Sequence, residues 1–209
     1  MPSVPEKSSR ASVPTELMWA VIGLVLTITG TWLEVFLPNP PWVWGEVGLH
    51  AVSLGVSFQV GAVLLTGCLA GKNSAALSQI AYLALGLIWF KTFGFQVFTQ
   101  GGGLGYLREP TFGYLIGFVP GAWYCGVLAF RSKPTLETLA SGCLAGLGWI
   151  HACGLAYLIL AYILGWASGF GISFWQAVLV YSVFVIPGQL VVACAVSVIA
   201  CVMRQVMFY

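Results

Sequence analysis

Six long apolar runs, separated by short polar breaks, occupy most of this chain. They cover about residues 17–37, 49–71, 74–93, 112–130, 136–166 and 174–204. A membrane-spanning helix needs roughly 20 apolar residues, and each run is close to that length or beyond it. Between Glu137 and Arg204 there is no Asp, Glu, Lys or Arg, a stretch long enough for two spans and a tight turn. The pattern predicts an all-α membrane protein, a six-transmembrane-helix bundle. Residues 1–16 form a polar N-terminal segment and residues 17–209 a single transmembrane domain. The first apolar run is longer than a signal-peptide core and lacks a clear small-x-small exit, so it is read as the first span.

Composition supports this. Of 209 residues, 59% are hydrophobic and 7% charged, against roughly 25% charged in soluble domains. Lipid removes the need for a charged surface. The few cations also set an orientation. With six spans, Lys7, Arg10, Lys72, Arg131, Lys133 and Arg204 share one side, and Lys91 and Arg108 the other. An excess of Lys and Arg marks the cytoplasm. Both termini are therefore expected to be cytoplasmic, in a multi-pass protein of a bacterial plasma membrane. The loop Pro38-Asn39-Pro40-Pro41-Trp42-Val43-Trp44 and the triple-glycine loop at 101–103 then face outward. Glu34 and Glu46 flank the first of these loops and read as solvated, while Trp42, Trp44 and Trp166 suit the interface.

Several chemistries are excluded or unsupported. The chain has no aspartate, no nucleotide-binding loop, no zinc spacing and no serine nucleophile elbow. No catalytic residue, metal or cofactor is expected, and the protein is not read as an enzyme. Its few cations are needed at the membrane interface, which leaves no footprint for nucleic acid. Cys68, Cys125, Cys143, Cys153, Cys194 and Cys201 all lie in apolar runs and read as small core or lipid-facing residues.

Small residues recur at four-residue spacing: Gly67 and Gly71; Gly113, Gly117 and Gly121; Ala122 and Gly126; Gly142 and Gly146. Such spacing lets helix backbones approach closely, within the bundle or against a partner helix. Gly23, Thr27 and Thr31 form a further stripe on the first span, the expected contact for a partner.

Two segments could hold a ligand. In the loop 96–114, glycines including Gly102 and Gly103 permit close backbone approach, and Gln100, Thr111 and Tyr114 add polar groups. In the last span, Tyr181 to Gln189 contains Pro187-Gly188, which interrupts the helical ladder. Gln189 then either bonds the backbone freed by Pro187 or faces a ligand. His151 reads as a satisfied core histidine. Gln59 and Ser57 could point into the same interior. Phe112, Tyr114 and Trp149 offer aromatic walls.

Residues Glu109-Pro110-Thr111-Phe112-Gly113-Tyr114-Leu115-Ile116-Gly117-Phe118 resemble the Gly-Pro-Thr-Gly-Gly-Tyr-Leu-x-Gly-Phe run of the BioY family. These are the biotin-specific membrane components of energy-coupling-factor (ECF) vitamin transporters. Val56-Ser57-Phe58-Gln59 is similar to the family's Pro-Phe-Thr-x-Gln segment. Ile186-Pro187-Gly188-Gln189-Leu190-Val191-Val192 is similar to its Ile-Pro-Gly-Asp-x-x-Lys. The resemblance implies an S component that grips biotin or a related vitamin from outside. It would topple in the membrane when a transmembrane coupling protein and ATPase subunits drive it, or act as a solitary or self-associating member. Gln189 and Val192 stand where the family has its ligand-holding Asp and Lys, so Arg108 or Lys91 would be left to meet the carboxylate. The alternatives are an S component for another small vitamin-like ligand and a membrane scaffold without transport activity.

Overall fold

The computed structural model describes residues 13–39, 48–93, 96–99 and 101–207, and their side chains except those of 89–93 and Ser168. Residues 1–12, the tryptophans of the first loop, Glu46, the Lys91 side chain and Gln100 lie outside that description. The elements are α1 (Val13–Trp32), β1 (Glu34–Pro38), β2 (Ala51–Ser57), α2 (Gln59–Phe93), α3 (Phe112–Ala129), α4 (Leu136–Ile163) and α5 (Phe174–Met207). Among the described residues, five helices are long and apolar enough to cross a membrane.

The count of five arises because α2 is continuous except at Gly71, whose φ of 78° and ψ of 173° break the helix. Only glycine takes a backbone of positive φ like this at little cost. The two arms, 59–70 and 72–93, fold back on one another. Gln59 Nε2 donates to Tyr82 Oη at 2.7 Å, and Thr66 and Ser78 both approach Gly23 of α1. The first arm is buried on every face from Val60 to Leu69. A short helix apolar all round belongs in a core, and here α1, α3, α4 and α5 surround it.

Two expected spans begin or end differently. The helix expected over 49–71 starts at Gln59, and the residues before it form β2. The run expected to be helical to Leu37 stops at Trp32 and continues as β1. Glu34–Pro38 and Ala51–Ser57 pair antiparallel, Phe36 opposite Ser53 and Leu37 opposite Val52, with a bulge between Glu34 and Phe36. The alternating, β-branched stretch Val52-Ser53-Leu54-Gly55-Val56-Ser57 suits a strand. Hydropathy alone hides it, because its apolar residues extend the run of the following helix. α5 is also interrupted: Leu179–Val183 form one π-turn before the regular helix resumes at Ile186.

The glycine pattern is consumed inside the chain. A Cβ on Gly117 would lie 2.8 Å from the Ile150 carbonyl oxygen, one on Gly121 2.9 Å from that of Gly146, and one on Gly67 3.0 Å from that of Ala122. Backbone contact on this scale replaces the hydrophobic drive that lipid does not supply. The α1 stripe also faces inward, which corrects the expectation that it meets a partner. Gly23, Thr27 and Thr31 are all buried. Thr27 Oγ1 donates to Gly23 O at 2.8 Å and accepts from Gln79 Nε2 at 3.1 Å, while Thr31 Oγ1 lies 3.1 Å from Tyr82 Oη. Polar groups at membrane depth turn toward one another, which is why the polar face of α1 cannot be its outer face. The outer face carries Met18, Val21, Ile22 and Val25.

The charged ends separate. Asn73 bonds Glu16, a Cβ on Gly126 would touch Lys72, and Arg204 Nη1 donates to Ala129 O at 2.6 Å. Lys72, Arg204 and the loop bearing Arg131 and Lys133 thus gather at one end, opposite Arg108.

Gly23→Leu should therefore act on the fold. The added side chain would start 2.5 Å from Thr66 Cγ2, and overpacking of this kind costs about 1–3 kcal/mol. A lower melting temperature in detergent is the expected outcome. An unchanged melting temperature would show that α1 is not seated as described.

Candidate functional site

A cavity of about 200 Å³ opens at the end of the bundle away from the clustered cations. Each wall comes from a different element. β2 supplies Gly55, Val56 and Ser57; α2 supplies Gln59, Val60 and Tyr82; the loop 96–111 supplies Phe98, Thr99, Tyr106 and Thr111; α3 supplies Tyr114, Leu115 and Phe118; α4 supplies Ile150; and α5 supplies Tyr181, Val185 and Gln189. No Asp, Glu, Lys, Arg or His is among these residues. The cavity is mostly apolar with a few convergent polar groups, the usual makeup of a small-molecule site.

Its aromatic side is a connected chain. Ring centroids lie 5.2 Å apart for Tyr82 and Phe98, 4.7 Å for Phe98 and Tyr106, 6.5 Å for Tyr106 and Phe112, and 6.0 Å for Phe112 and Tyr157. Glycines make room for it. Phe98 packs where a Cβ on Gly86 would sit, 2.0 Å from its ring, and Tyr157 packs onto Gly113 in the same way at 2.1 Å. Gly103 N donates to Gly86 O at 2.9 Å, so the glycine loop is pinned to α2 by backbone as well as by Phe98. Tyr106 Oη lies 3.1 Å from Thr111 Oγ1, and burial pushes the Tyr106 hydroxyl up from its ordinary pKa. That phenol stays protonated and available as a donor.

The polar side has two networks. In the first, Tyr82 Oη meets Thr31, Gln59 and the Val97 carbonyl. In the second, Tyr114 Oη is 2.7 Å from Ser182 Oγ, Ser182 Oγ is 3.3 Å from His151 Nδ1, and His151 Nε2 is 2.7 Å from Gln189 Oε1. His151 is 8% exposed and bonded through both ring nitrogens. The side chain of Gln189 thus reaches a histidine, and not the backbone around Pro187. The π-turn of α5 brings the neighbours Tyr181 and Ser182 to the interior together, the first onto the cavity and the second into the network.

Of the expected site residues, the structure gathers Thr111, Tyr114, Tyr181 and Gln189 on the cavity. Phe112 lies behind the wall, buried between Tyr106 and Tyr157. Gly102 and Gly103 belong to the loop but do not line the cavity. Arg108 lies in an adjoining recess with Glu109, Pro110, Gly165, Trp166, Gly169, Phe170 and Tyr181, so Tyr181 borders both spaces. Trp149 is not brought to the site. It stacks on Tyr124 at 4.6 Å on the outer surface and is 40% exposed. Helical phase decides this: Ile150, the next residue, takes the inward position. Sequence reasoning misses Tyr82, Phe98 and Tyr106; the polar Gln79-x-x-Tyr82 spacing within an apolar run is the available signal.

For a metal ion, the described residues offer one sulfur cluster. Cys68 Sγ lies 3.6 Å from both Cys125 Sγ and Cys143 Sγ in the core, and Cys125 also points at the Leu64 carbonyl oxygen at 3.4 Å. These are contacts of packed thiols, away from the cavity.

The fold defines a multi-pass membrane protein with a mostly apolar cavity at one end of its bundle. The same architecture occurs in the crystal structure at 2.1 Å of the S-component for biotin from an ECF-type ABC transporter. It matches with a TM-score of 0.65 and 20% identity over 94% of this chain and 95% of that one. The sequence pattern of the BioY family matches residues 6–208, and the chain belongs to that family. Among curated relatives, the probable biotin transporter BioY of Lysinibacillus sphaericus is 35% identical over 65% of this chain, covering 60% of that protein. The biotin transporter BioY of Thermotoga maritima is 33% identical over 68% of this chain and 73% of its own length. That of Rhodobacter capsulatus is 33% identical over 81% and 85%.

Gly86→Ala should unseat Phe98 and loosen the loop over the cavity. The expected outcome is a melting temperature lowered by several degrees, from about 1–3 kcal/mol of overpacking. Phe98→Ala in the same chain should recover part of the loss. Additive losses in the double variant would show that the two residues are not in contact.

Proposed function

We propose that this chain is the membrane-embedded substrate-binding component for biotin uptake by an ECF-type transporter. The observation that carries the reading is the cavity itself: a small, uncharged, aromatic-sided space at one end of a bundle, in a member of a family whose named relatives are biotin transporters. Biotin pairs apolar rings and an apolar chain with a polar ureido group and a carboxylate. Phe98, Tyr106, Leu115 and Phe118 suit the apolar part. Gln189, Tyr114 and Thr111 suit the ureido group, since amides and hydroxyls can match its donors and acceptor. Among the described residues that line the cavity there is no cation for the carboxylate, and Val192 is buried at 2% exposure. Among the described residues, Arg108, in the recess beyond Tyr181, is the cation that an extended chain would meet.

Equilibrium binding of labelled biotin to the purified protein tests this. Gln189→Leu should weaken binding about tenfold to a hundredfold, the loss of one partner from a buried polar pair at about 1–3 kcal/mol. Arg108→Gln should weaken biotin more than biotin amide. A well-folded protein that binds no biotin would redirect the assignment to another small ligand.

The topology follows the same reading. The two arms of α2 each traverse the bilayer, giving six crossings with both termini in the cytoplasm of a bacterial cell. The gathering of Lys72, Arg131, Lys133 and Arg204 at one end supports this sidedness. The first arm has 12 residues, about 18 Å of helix. It tolerates that length because protein, not lipid, surrounds it. A coupling protein that docks on α1 meets Met18, Val21, Ile22 and Val25. In a cysteine-depleted background, an impermeant thiol reagent should label a cysteine at position 102 in intact cells but not one at 132. Labelling at 132 would reverse the orientation.

A further inference from the structure

Gln189 borders the cavity, whereas His151 does not: it stands behind Gln189, buried, in contact with it at 2.7 Å through Nε2. The amide oxygen Oε1 has only lone pairs to offer, so Nε2 must carry the proton of this contact. A neutral imidazole then leaves Nδ1 as an acceptor. Its one partner, Ser182 Oγ at 3.3 Å, must donate to it. The Ser182 oxygen is in turn free to accept from Tyr114 Oη at 2.7 Å. The four side chains form a wire with a single direction. Tyr114 gives to Ser182, Ser182 to His151 and His151 to the oxygen of Gln189. The ring of Tyr114 stands edge-on to His151 at 5.7 Å and packs where a Cβ on Gly154 would lie, 2.3 Å away, so no side chain intervenes. The oxygen of Gln189 keeps a second lone pair but is turned to His151 behind the wall, which leaves its two N–H donors to face the cavity.

We propose that His151 is a positioning residue that holds the Gln189 amide with its N–H donors toward the cavity, so that this corner selects an uncharged carbonyl oxygen such as that of a ureido ring and rejects a cationic donor in its place. The inference rests on the reading that the cavity takes biotin. Among the described residues that line the cavity a charged group in the corner would find no counter-ion, since Glu109 sits in the adjoining recess, and a donor-only group would face two donors. Unpaired buried polar groups of this kind are strongly disfavoured.

The test compares biotin with 2-iminobiotin, whose cyclic guanidinium presents N–H where biotin presents its carbonyl oxygen. Binding of each is measured at neutral pH to the purified full-length wild type, His151→Phe and His151→Gln, with melting temperature recorded alongside. The wild type should prefer biotin by about a hundredfold or more, the scale of one mismatched buried hydrogen bond and one unpaired charge. His151→Phe keeps a ring but cannot hold the amide. It should lower biotin affinity and shrink the preference at least about tenfold. His151→Gln offers an N–H close to where Nε2 stood and should restore most of the preference. Two results would overturn the proposal while leaving biotin as the ligand: a wild type that binds both compounds equally, or a His151→Phe variant that leaves the preference intact, whether or not both affinities fall. A folded wild type that binds neither compound would overturn the biotin reading and this inference together.

Discussion

In hydrocarbon a polar group has no water to fall back on, and every polar side chain of this bundle has to find its partner within the chain. That constraint accounts for the two networks that define the site. Thr27, Gln79, Thr31, Tyr82 and Gln59 tie α1 to both arms of α2. Tyr114, Ser182, His151 and Gln189 tie α3, α4 and α5. The cavity lies between them. Its polar lining includes the cavity-side ends of both networks, Gln59 and Tyr82 on one side and Tyr114 and Gln189 on the other. These cavity-lining groups also hold the helices together.

Close backbone approach is the second requirement, and the glycines meet it in two ways. Gly117, Gly121 and Gly146 let α3 and α4 touch at the level of their carbonyl oxygens. Gly86, Gly113 and Gly154 instead admit the rings of Phe98, Tyr157 and Tyr114. The first group sets helix spacing. The second sets where the aromatic wall stands, and so the shape of the cavity. A glycine count cannot distinguish the two uses, because the neighbour that fills the space comes from a distant part of the chain.

The membrane class and the approximate limits of α3 were legible in the sequence, and Thr111, Tyr114, Tyr181 and Gln189, singled out there, line the cavity. Their cause is local: apolar runs of spanning length, and polar residues that such runs do not tolerate without reason. The inward turn of the Gly23, Thr27 and Thr31 stripe was not legible, since small polar residues suit an outer partner and an inner one equally. Nor was the position of Trp149, whose aromatic character says nothing about which side of α4 it occupies.

Hydropathy and charge by themselves determined that the chain lives in a bilayer as packed helices, because lipid compatibility is a property of each segment alone. Tertiary structure decided the rest. Residues 51–57 became a strand because β1 was there to pair with them. The arm 59–70 could be short because four other helices enclose it. His151 is satisfied in the core because Ser182 and Gln189, more than thirty residues away, close on its two nitrogens. Such partnerships depend on which helices meet and at what phase, and that is settled only when the whole bundle packs.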